Sequence, residues 1–438
     1  MKAATKRPDA PGHFARRGLD AIGMVTQDWE LSLLTPMLGG SAEKGSANGS
    51  APLRLSELKH QLRFWWRALQ QATLSPDELR TRETAIFGGA AGTANDEGGS
   101  EGGTASRVSL RIIEQAAGTV MTASPQELCD CPKYGLGPLL QDNTSTVGLI
   151  KAGWKCKVRI ETLGLADEQR REVDDAWRAA LFFGGVGART RRGFGSLFCA
   201  KMHTEDEWHK LLAAFERTPP ATLGTAAWPS LGGSTLWTRP ITETDAVAGW
   251  RHLIDRMGEF RQGPGIGRSP VSGGRPGRSY WPEPDTVRTW LPFASSEHPV
   301  RHPAATGSGW FPRAAYGLPL SIRFKHNGTI DPAGTALITP PERERWPSPV
   351  ILKTIRFQSG LVWQVCLWLN HQTPDLSIRW SPERKFGFPA GKGPAPLPRT
   401  AGPDDYAGKV IRDKPGPPTA GVHPVKSLAD HLHLTLVP

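Results

Sequence analysis

Two stretches of this chain repeat their apolar residues with a helical period, and each stands between stretches that alternate with the period of a strand. That order constrains the fold more than any other feature. In LSELKHQLRFWWRALQ, Leu55, Leu58, Leu62, Trp65 and Leu69 recur at helical spacing. From Asp167 to Phe183 a second stripe is made by Val173, Trp177, Ala180 and Leu181, with Asp167 as its predicted cap and early acids that suit the helix dipole. Strand spacing precedes the first helix at Asp28–Pro36, where Trp29, Leu31 and Leu33 share a face, and follows it at Arg107–Ile113. It precedes the second helix at Trp154–Thr162 and follows it at Gly195–Lys201. The order strand, helix, strand, strand, helix, strand predicts a split βαβ repeat on an antiparallel sheet, the ferredoxin-like arrangement.

At 438 residues the chain is too long for one compact core, since domains commonly run to ~100–200 residues, and two domains are expected, 1–225 and 226–438. In the second, Ala246, Trp250, Leu253, Ile254 and Met257 share one face of a helix predicted over Glu243–Arg261. Leu318–Phe324, Pro349–Phe357 and Leu361–Leu369 read as short apolar strands, so a second α+β domain of similar kind fits. Long stretches rich in glycine and proline interrupt the pattern: GGSAEKGSANGSAP, GGAAGTANDEGGSEGGTAS, RQGPGIGRSPVSGGRPGRSYWPEPD, and Lys385–Pro424, which reads as extended covering structure or a mobile loop rather than core.

Lysine and arginine outnumber the acids by 53 to 42, a formal net charge of +11, which favours nucleic acid or an acidic surface as partner. The densest cationic element is GGVGARTRRGFGSL, Gly184–Leu197, directly after the second helix. Glycine accepts positive φ and close backbone approach, so the N–H groups of such a loop can lie against a phosphate chain. Gly185, Gly187 and Gly193 are the candidates for that approach; Arg189, Arg191 and Arg192 add fixed charges that repel one another unless an anion lies among them. On the first helix Lys59, Arg63 and Arg67 stand four residues apart and make one basic ridge beside the apolar stripe. Among the neighbouring aromatics Trp65 falls in the stripe and is assigned to the core, whereas Trp66 is left open to base stacking.

Catalysis has no comparable signature. A metal-independent ribonuclease needs a general acid and base about the scissile phosphate, and the histidines near the expected domain core, His60, His203 and His209, have no partner pattern. H-E-x-x-H, Walker A and G-x-S-x-G motifs do not occur in a supporting context. Cys129 and Cys131 make one C-x-C without a second pair or a histidine cluster, so no metal or other cofactor is expected, and five scattered cysteines fit a reducing compartment. The basic N-terminus, MKAATKRPDAPGHFARRGLD, lacks the apolar core of a secretory signal, and no apolar run approaches membrane-spanning length; both point to a cytoplasmic protein.

The segments assembled so far resemble a known family. LLTPMLGG, LSELKHQLRFWWRAL, ETAIFGG and GGVGARTRRGFGSL in the first half, with GRSYWPEPDTVR, FPRAAYGLPLSIRF and SPVILK in the second, are similar to the RAMP-superfamily subunit numbered one of the Cmr complex, the type III-B CRISPR effector. The resemblance implies an α+β protein of two tandem ferredoxin-like (RRM-like) domains with long Gly/Pro-rich insertions. It implies a non-catalytic RNA-binding subunit near the 3′ end of the guide RNA that helps capture target RNA. The implied partners are guide CRISPR RNA, target RNA, the sixth Cmr subunit and the backbone RAMP; the alternative is a RAMP endoribonuclease acting on CRISPR RNA or target RNA. Its implied RNA contacts are Lys59, Arg63 and Arg67 on the ridge and Gly185, Gly187, Arg189, Arg191, Arg192 and Gly193 in the loop. Since an exposed charge contributes little to stability, loss of the loop arginines is expected to weaken RNA capture more than folding.

Overall fold

Alternation makes the first strand: along Met24–Leu33 (β1) Leu31 and Leu33 are buried, Trp29 is half-buried and Glu30 is exposed. The computed structural model describes residues 23–39, 46–89, 103–123, 131–137, 147–218, 225–270, 277–290, 311–324, 334–382 and 424–437. After β1 the first half continues through β2 (Met37–Leu38), α1 (Leu55–Ala68), α2 (Pro76–Phe87), β3 (Val108–Gln115), β4 (Val120–Ala123), α3 (Lys133–Leu136), β5 (Val147–Ile150), β6 (Lys155–Leu163), α4 (Asp167–Phe183), β7 (Leu197–Phe198) and α5 (Glu205–Arg217). Its main sheet has the order β3-β6-β1-β7, with every pair antiparallel, and β2-β5-β4 form a smaller inserted sheet. The outer face of the main sheet is charged. There Asp28 sits opposite Arg159 in the register and accepts from it at 2.7 and 2.9 Å.

Local departures from the expected elements have local causes. The Glu83–Phe87 portion of the ETAIFGG segment lies outside the first helix, in the separate helix α2, started by a reciprocal cap in which Ser75 Oγ accepts from the Glu78 N–H (3.2 Å) and Glu78 Oε2 accepts from the Ser75 N–H (2.8 Å). Helix α4 is capped at Ala166 rather than Asp167, through Gln169 Oε1, which accepts from the Ala166 N–H at 3.2 Å. Strand β7 is shorter than expected because the flanking N–H groups bond elsewhere, Ser196 to Thr35 Oγ1 (3.0 Å) and Cys199 to His203 Nδ1 (3.2 Å).

The second half contains β8 (Ser230–Ile241), α6 (Ala246–Gln262), α7 (Glu283–Trp290), β9 (Leu320–Phe324), β10 (Gly334–Thr339), β11 (Val350–Arg356), β12 (Val362–Asn370), β13 (Ser377–Pro382), α8 (Pro424–His431) and β14 (Thr435–Leu436). Its main sheet has the order β11-β12-β8-β14, and β13-β10-β9 form an inserted sheet. Each half therefore threads a four-stranded antiparallel sheet in the sequence strand, helix, strand, strand, helix, strand, with the third and first of these strands at the centre. The expected helix over Glu243–Arg261 and the expected strands near residues 320, 350 and 362 correspond to α6, β9, β11 and β12. The basic N-terminus, Cys129, most of the second glycine-rich loop and all but the last residue of Lys385–Pro424 lie outside the described residues. Among the described residues no helix is long and apolar enough to cross a membrane.

The second sheet is buried on both faces, and that arrangement joins the halves. On β11, Val350 and Leu352 belong to the core with Trp250 and Met257 of α6, whereas Ile351 and Ile355 belong to the core with Trp177, Phe182 and Phe183 of α4. β12 divides in the same way, Cys366 toward α6 and Val365, Leu367 and Leu369 toward the first half. The layers are thus sheet, helices α1, α4 and α5, sheet, and helices α6 and α8. Helix α4 lies between two sheets, which explains why every residue from Ala176 to Phe183 is buried and not only the apolar stripe. Inside this layer β11 contributes Lys353, 1% exposed, whose Nζ donates to the Gly184 carbonyl at 2.8 Å, at the C-terminal end of α4.

Two predictions follow from this packing. Leu62→Ala and Trp177→Ala, which truncate side chains 0% and 2% exposed, lower stability by about 2–5 kcal/mol in denaturant titrations. Burial pulls the Lys353 ammonium down from 10.5 to about 7, so between those values the unfolded chain binds the extra proton. Stability gains from this group as pH rises through that window. Lys353→Met removes that gain, and the difference in melting temperature between wild type and variant changes from pH 7 to pH 8.5; an unchanged difference refutes the assignment.

Candidate nucleic-acid interface

The loop after α4 is held by packing before any ligand is considered. Thr190–Arg192 form a 3₁₀ turn flanked by Arg189 (φ 60°) and Gly193 (φ 76°), both left-handed. A Cβ on Gly193 would stand 2.7 Å from the Trp250 indole, and one on Gly195 (φ 60°) would stand 1.9 Å from the Val186 carbonyl oxygen. The Gly193 carbonyl accepts from Thr35 Oγ1 (2.5 Å) and Ser196 Oγ (3.0 Å), so this predicted RNA contact faces the interior. Gly185 is buried and Gly187 half-buried. Together with Ser56, Glu57, His60 and Gln61 they line an open groove of about 160 Å³ between the loop and the first turns of α1. The Gly187 N–H donates to Glu57 Oε2 at 3.1 Å.

The loop arginines are not the free surface charges that the sequence suggests. Arg189 donates to the Gly135 carbonyl at 3.0 Å, and Arg191 donates to the Ser348 carbonyl. Arg192 donates to the Val350 carbonyl (2.9 Å) and Ser348 Oγ (3.3 Å), while the Trp250 indole N–H donates to its own carbonyl (2.7 Å). Burial, with the like charge of Arg192, draws Arg191 down to about 10; burial also draws Arg192 down to about 10. The guanidinium groups of Arg191 and Arg192 join the first half to the second and that of Arg189 ties the loop to α3, so their loss is expected to cost stability as well as charge. Arg191 alone also reaches the groove side, its guanidinium 5.6 Å from the centre of the Phe64 ring.

The ridge on α1 is brought to the same region. Lys59 is exposed; Arg63 and Arg67 are half-buried and share one acceptor, Glu83 Oε1 of α2, at 2.7 and 2.6 Å. Glu83 orders these side chains and offsets part of their charge. Arg63 also lies over the Phe87 ring at 6.0 Å. Trp66 is 0% exposed and donates from Nε1 to Glu172 Oε2 at 2.9 Å, so it belongs to the core and not to a stacking surface.

The three histidines have different surroundings. His203 is 1% exposed, stacks on Phe182 at 4.7 Å and is drawn down to about 3 by burial and the charge of Lys353, which makes it a neutral core residue. His209 is exposed on α5. His60 is exposed and lines the groove, and its pKa is lowered by partial burial and by the charges of Arg67, Arg191 and Arg63. The groove residues Ser56, Glu57 and Gln61 escaped the sequence reading. They sit on the first turns of α1, but nothing in the chain indicates that a loop 130 residues away meets that end of the helix, as the Gly187–Glu57 bond does. Among the described residues no group of three or more His, Cys, Asp or Glu side chains is arranged to hold a metal ion.

The family model of the RAMP superfamily matches residues 30–198, the segment that contains both the α1 ridge and the glycine-arginine loop. No curated protein matches the chain. Among solved structures the chain is similar to Cmr1 from Pyrococcus furiosus in its apo form, at 14% identity and a TM-score of 0.40, over 80% of this chain and 89% of that one. It is also similar to a chain in the type III-B Cmr-beta complex bound to cognate target RNA, at 13% identity and a TM-score of 0.42, over 80% of this chain and 96% of that one.

The bonds around the loop predict the outcome of two substitutions. Arg192→Ala leaves the buried Val350 carbonyl without this donor and lowers stability by about 1–3 kcal/mol, whereas Lys59→Ala, on an exposed side chain, changes it by less than about 0.5 kcal/mol. Chemical denaturation of the two variants measures the difference.

Proposed function

We propose that this chain is a non-catalytic RNA-binding subunit of a type III-B CRISPR effector complex, which holds guide and target RNA through their backbones near the 3′ end of the guide. The observation that carries the reading is the groove in which the glycine backbone at Gly185 and Gly187 faces α1, with Lys59 exposed and the charges of Arg63, Arg67 and Arg191 felt at His60. The superfamily match over 30–198 supports it, because the matched residues supply both walls of that groove. The paired sheets, with their common strand order, support a tandem ferredoxin-like architecture. In such a complex sequence choice is made by base pairing between guide and target, so the protein needs charge and backbone approach rather than base-edge recognition. Implied neighbours are the sixth Cmr subunit and the backbone RAMP.

Chemistry at the groove is limited to binding in this reading. Its titratable side chains are Glu57, which accepts from Arg54 (2.6 Å) and from the Gly187 N–H (3.1 Å), and His60, whose partial burial and neighbouring arginines disfavour the protonated form and so a poised acid. The full chain is expected to bind single-stranded RNAs of unrelated sequence with similar affinity, and log K is expected to fall with log salt by about 0.7 for each phosphate contacted. Joint replacement of Lys59 and Arg63 by alanine weakens binding about tenfold while the melting temperature changes little. Labelled RNA stays intact with or without divalent metal. Discrete cuts that disappear in His60→Ala would overturn the non-catalytic reading in favour of an endoribonuclease.

A further inference from the structure

The glycine-rich segment that begins at Arg261 takes no part in the groove, yet its described portion gathers positive charge in the second half of the chain. After α6 the backbone closes a tight turn: the Gly267 and Arg268 N–H groups both donate to the Gly263 carbonyl (2.8 and 3.1 Å), and the Gly265 N–H donates to the Arg268 carbonyl (2.6 Å). The Tyr280 N–H donates to the Gly267 carbonyl at 3.0 Å, and Arg268 pairs across an antiparallel bridge with Ser279, two residues before Trp281. Trp281 in turn donates from its indole to the Arg261 carbonyl (2.9 Å) and packs edge-on against Tyr316 at 6.4 Å. Around this aromatic pair stand Arg261, 5.3 Å from the Tyr316 ring centre, and Arg313, 5.9 Å from that of Trp281.

The acids nearby are already engaged. Glu283 accepts from the Arg313 N–H (2.7 Å) and Arg313 Nε (3.1 Å), and Asp285 accepts from Arg278 and Arg288, each at 2.7 Å. Among the described residues Arg261 and Arg268 have no carboxylate partner. The hydrogen bond that Arg268 makes, to Gln262 Oε1, is long at 3.4 Å, and its Nε is buried without an acceptor. Partial burial, and after it the like charge of Arg313, disfavours its protonated form. The charge of Arg261 is felt in the same way at Arg192, so the cluster borders the glycine-arginine loop. Arg261 and Arg268 are half-buried and have no carboxylate among the described residues, and Arg268 also feels the like charge of Arg313, whose own partner is Glu283; an incoming anion relieves such an arrangement.

We propose that Arg261, Arg268 and Arg313 form a second phosphate-binding site, which takes a phosphodiester group of the same RNA strand that occupies the groove beside Gly185 and Gly187. The site rests on the RNA-binding reading and extends it: the track crosses from the first half to the second, and the second half contributes directly to RNA affinity. Arg268 is the informative residue because its side chain contributes so little to internal structure, whereas Arg261 also covers Tyr316.

Titration of the full chain with a labelled single-stranded RNA across a salt series tests the site. Arg268→Ala is expected to weaken binding about three- to tenfold and to reduce the salt slope by about 0.7, the signature of one lost phosphate contact. Arg268→Lys retains most of the affinity, and the Arg261→Ala/Arg268→Ala pair roughly doubles the loss of slope. Thermal melts identify any variant that fails to fold, in which case Arg268→Ala alone decides. Inorganic phosphate at matched ionic strength is expected not to displace the RNA; if it does so in wild type but not in Arg268→Ala, the site serves free phosphate and the RNA assignment falls. Unchanged affinity and slope in Arg268→Ala, with binding still weakened by loss of Lys59 and Arg63, overturns this site alone. A wild-type chain that binds no RNA overturns both this site and the reading on which it rests.

Discussion

The bond from Lys353 to the Gly184 carbonyl sits where all the layers meet. It lies at the C-terminal end of α4, where unpaired carbonyls and the helix dipole favour a cation. It also comes from the opposite sheet, so the second half of the chain supplies the partner for a helix end of the first. A buried amine is costly unless it is bonded, and here that requirement fixes the distance between β11 and α4. The glycine-arginine loop begins at the same residue, and its path therefore starts from a point that both halves define.

From that start the loop is tied down by backbone acceptors rather than by carboxylates. Arg191 and Arg192 reach Ser348 and Val350 at the start of β11, and Trp250 of α6 returns a bond to the Arg192 carbonyl. Guanidinium suits this use because its planar fork can serve several carbonyls at once. Such bonds leave the positive charge uncompensated, so a loop that serves as a joint between halves also remains electropositive. The structural role of these arginines is thus compatible with the proposed RNA-binding one, but a binding measurement on variants at Arg191 or Arg192 also measures the joint.

Much of the first half was legible in the chain. The stripes Leu58, Leu62 and Trp65 on α1 and Val173, Trp177 and Ala180 on α4 are buried, and the strands near residues 28, 108 and 155 occur in the expected order. The strands, α1 and the first half of α4 have one buried face and one outer face, and such asymmetry writes a period into the sequence. The missed strand β8 carries Gly232 and Gly233 and is buried along Ser230–Leu231 and again at Leu236–Thr238, so alternation is lost. Trp66 was ambiguous for a related reason: it lies beside the stripe on α1, and only the carboxylate of Glu172 on a distant helix gives its indole an interior partner.

By itself the sequence determined the order of helices and strands, the two basic elements, and a loop that only glycine-rich chain could follow, because each depends on spacing, charge or backbone freedom within a few residues. The tertiary structure decided which of those charges point where. It turned Arg191 and Arg192 toward carbonyls roughly 160 residues onward, paired Arg63 and Arg67 with Glu83, and left Arg261 and Arg268 without an acid among the described residues. A charge declares itself in the sequence, but its partner is chosen by which elements the layers bring together, and that choice decides whether an arginine is bound within the fold or left open to an anion.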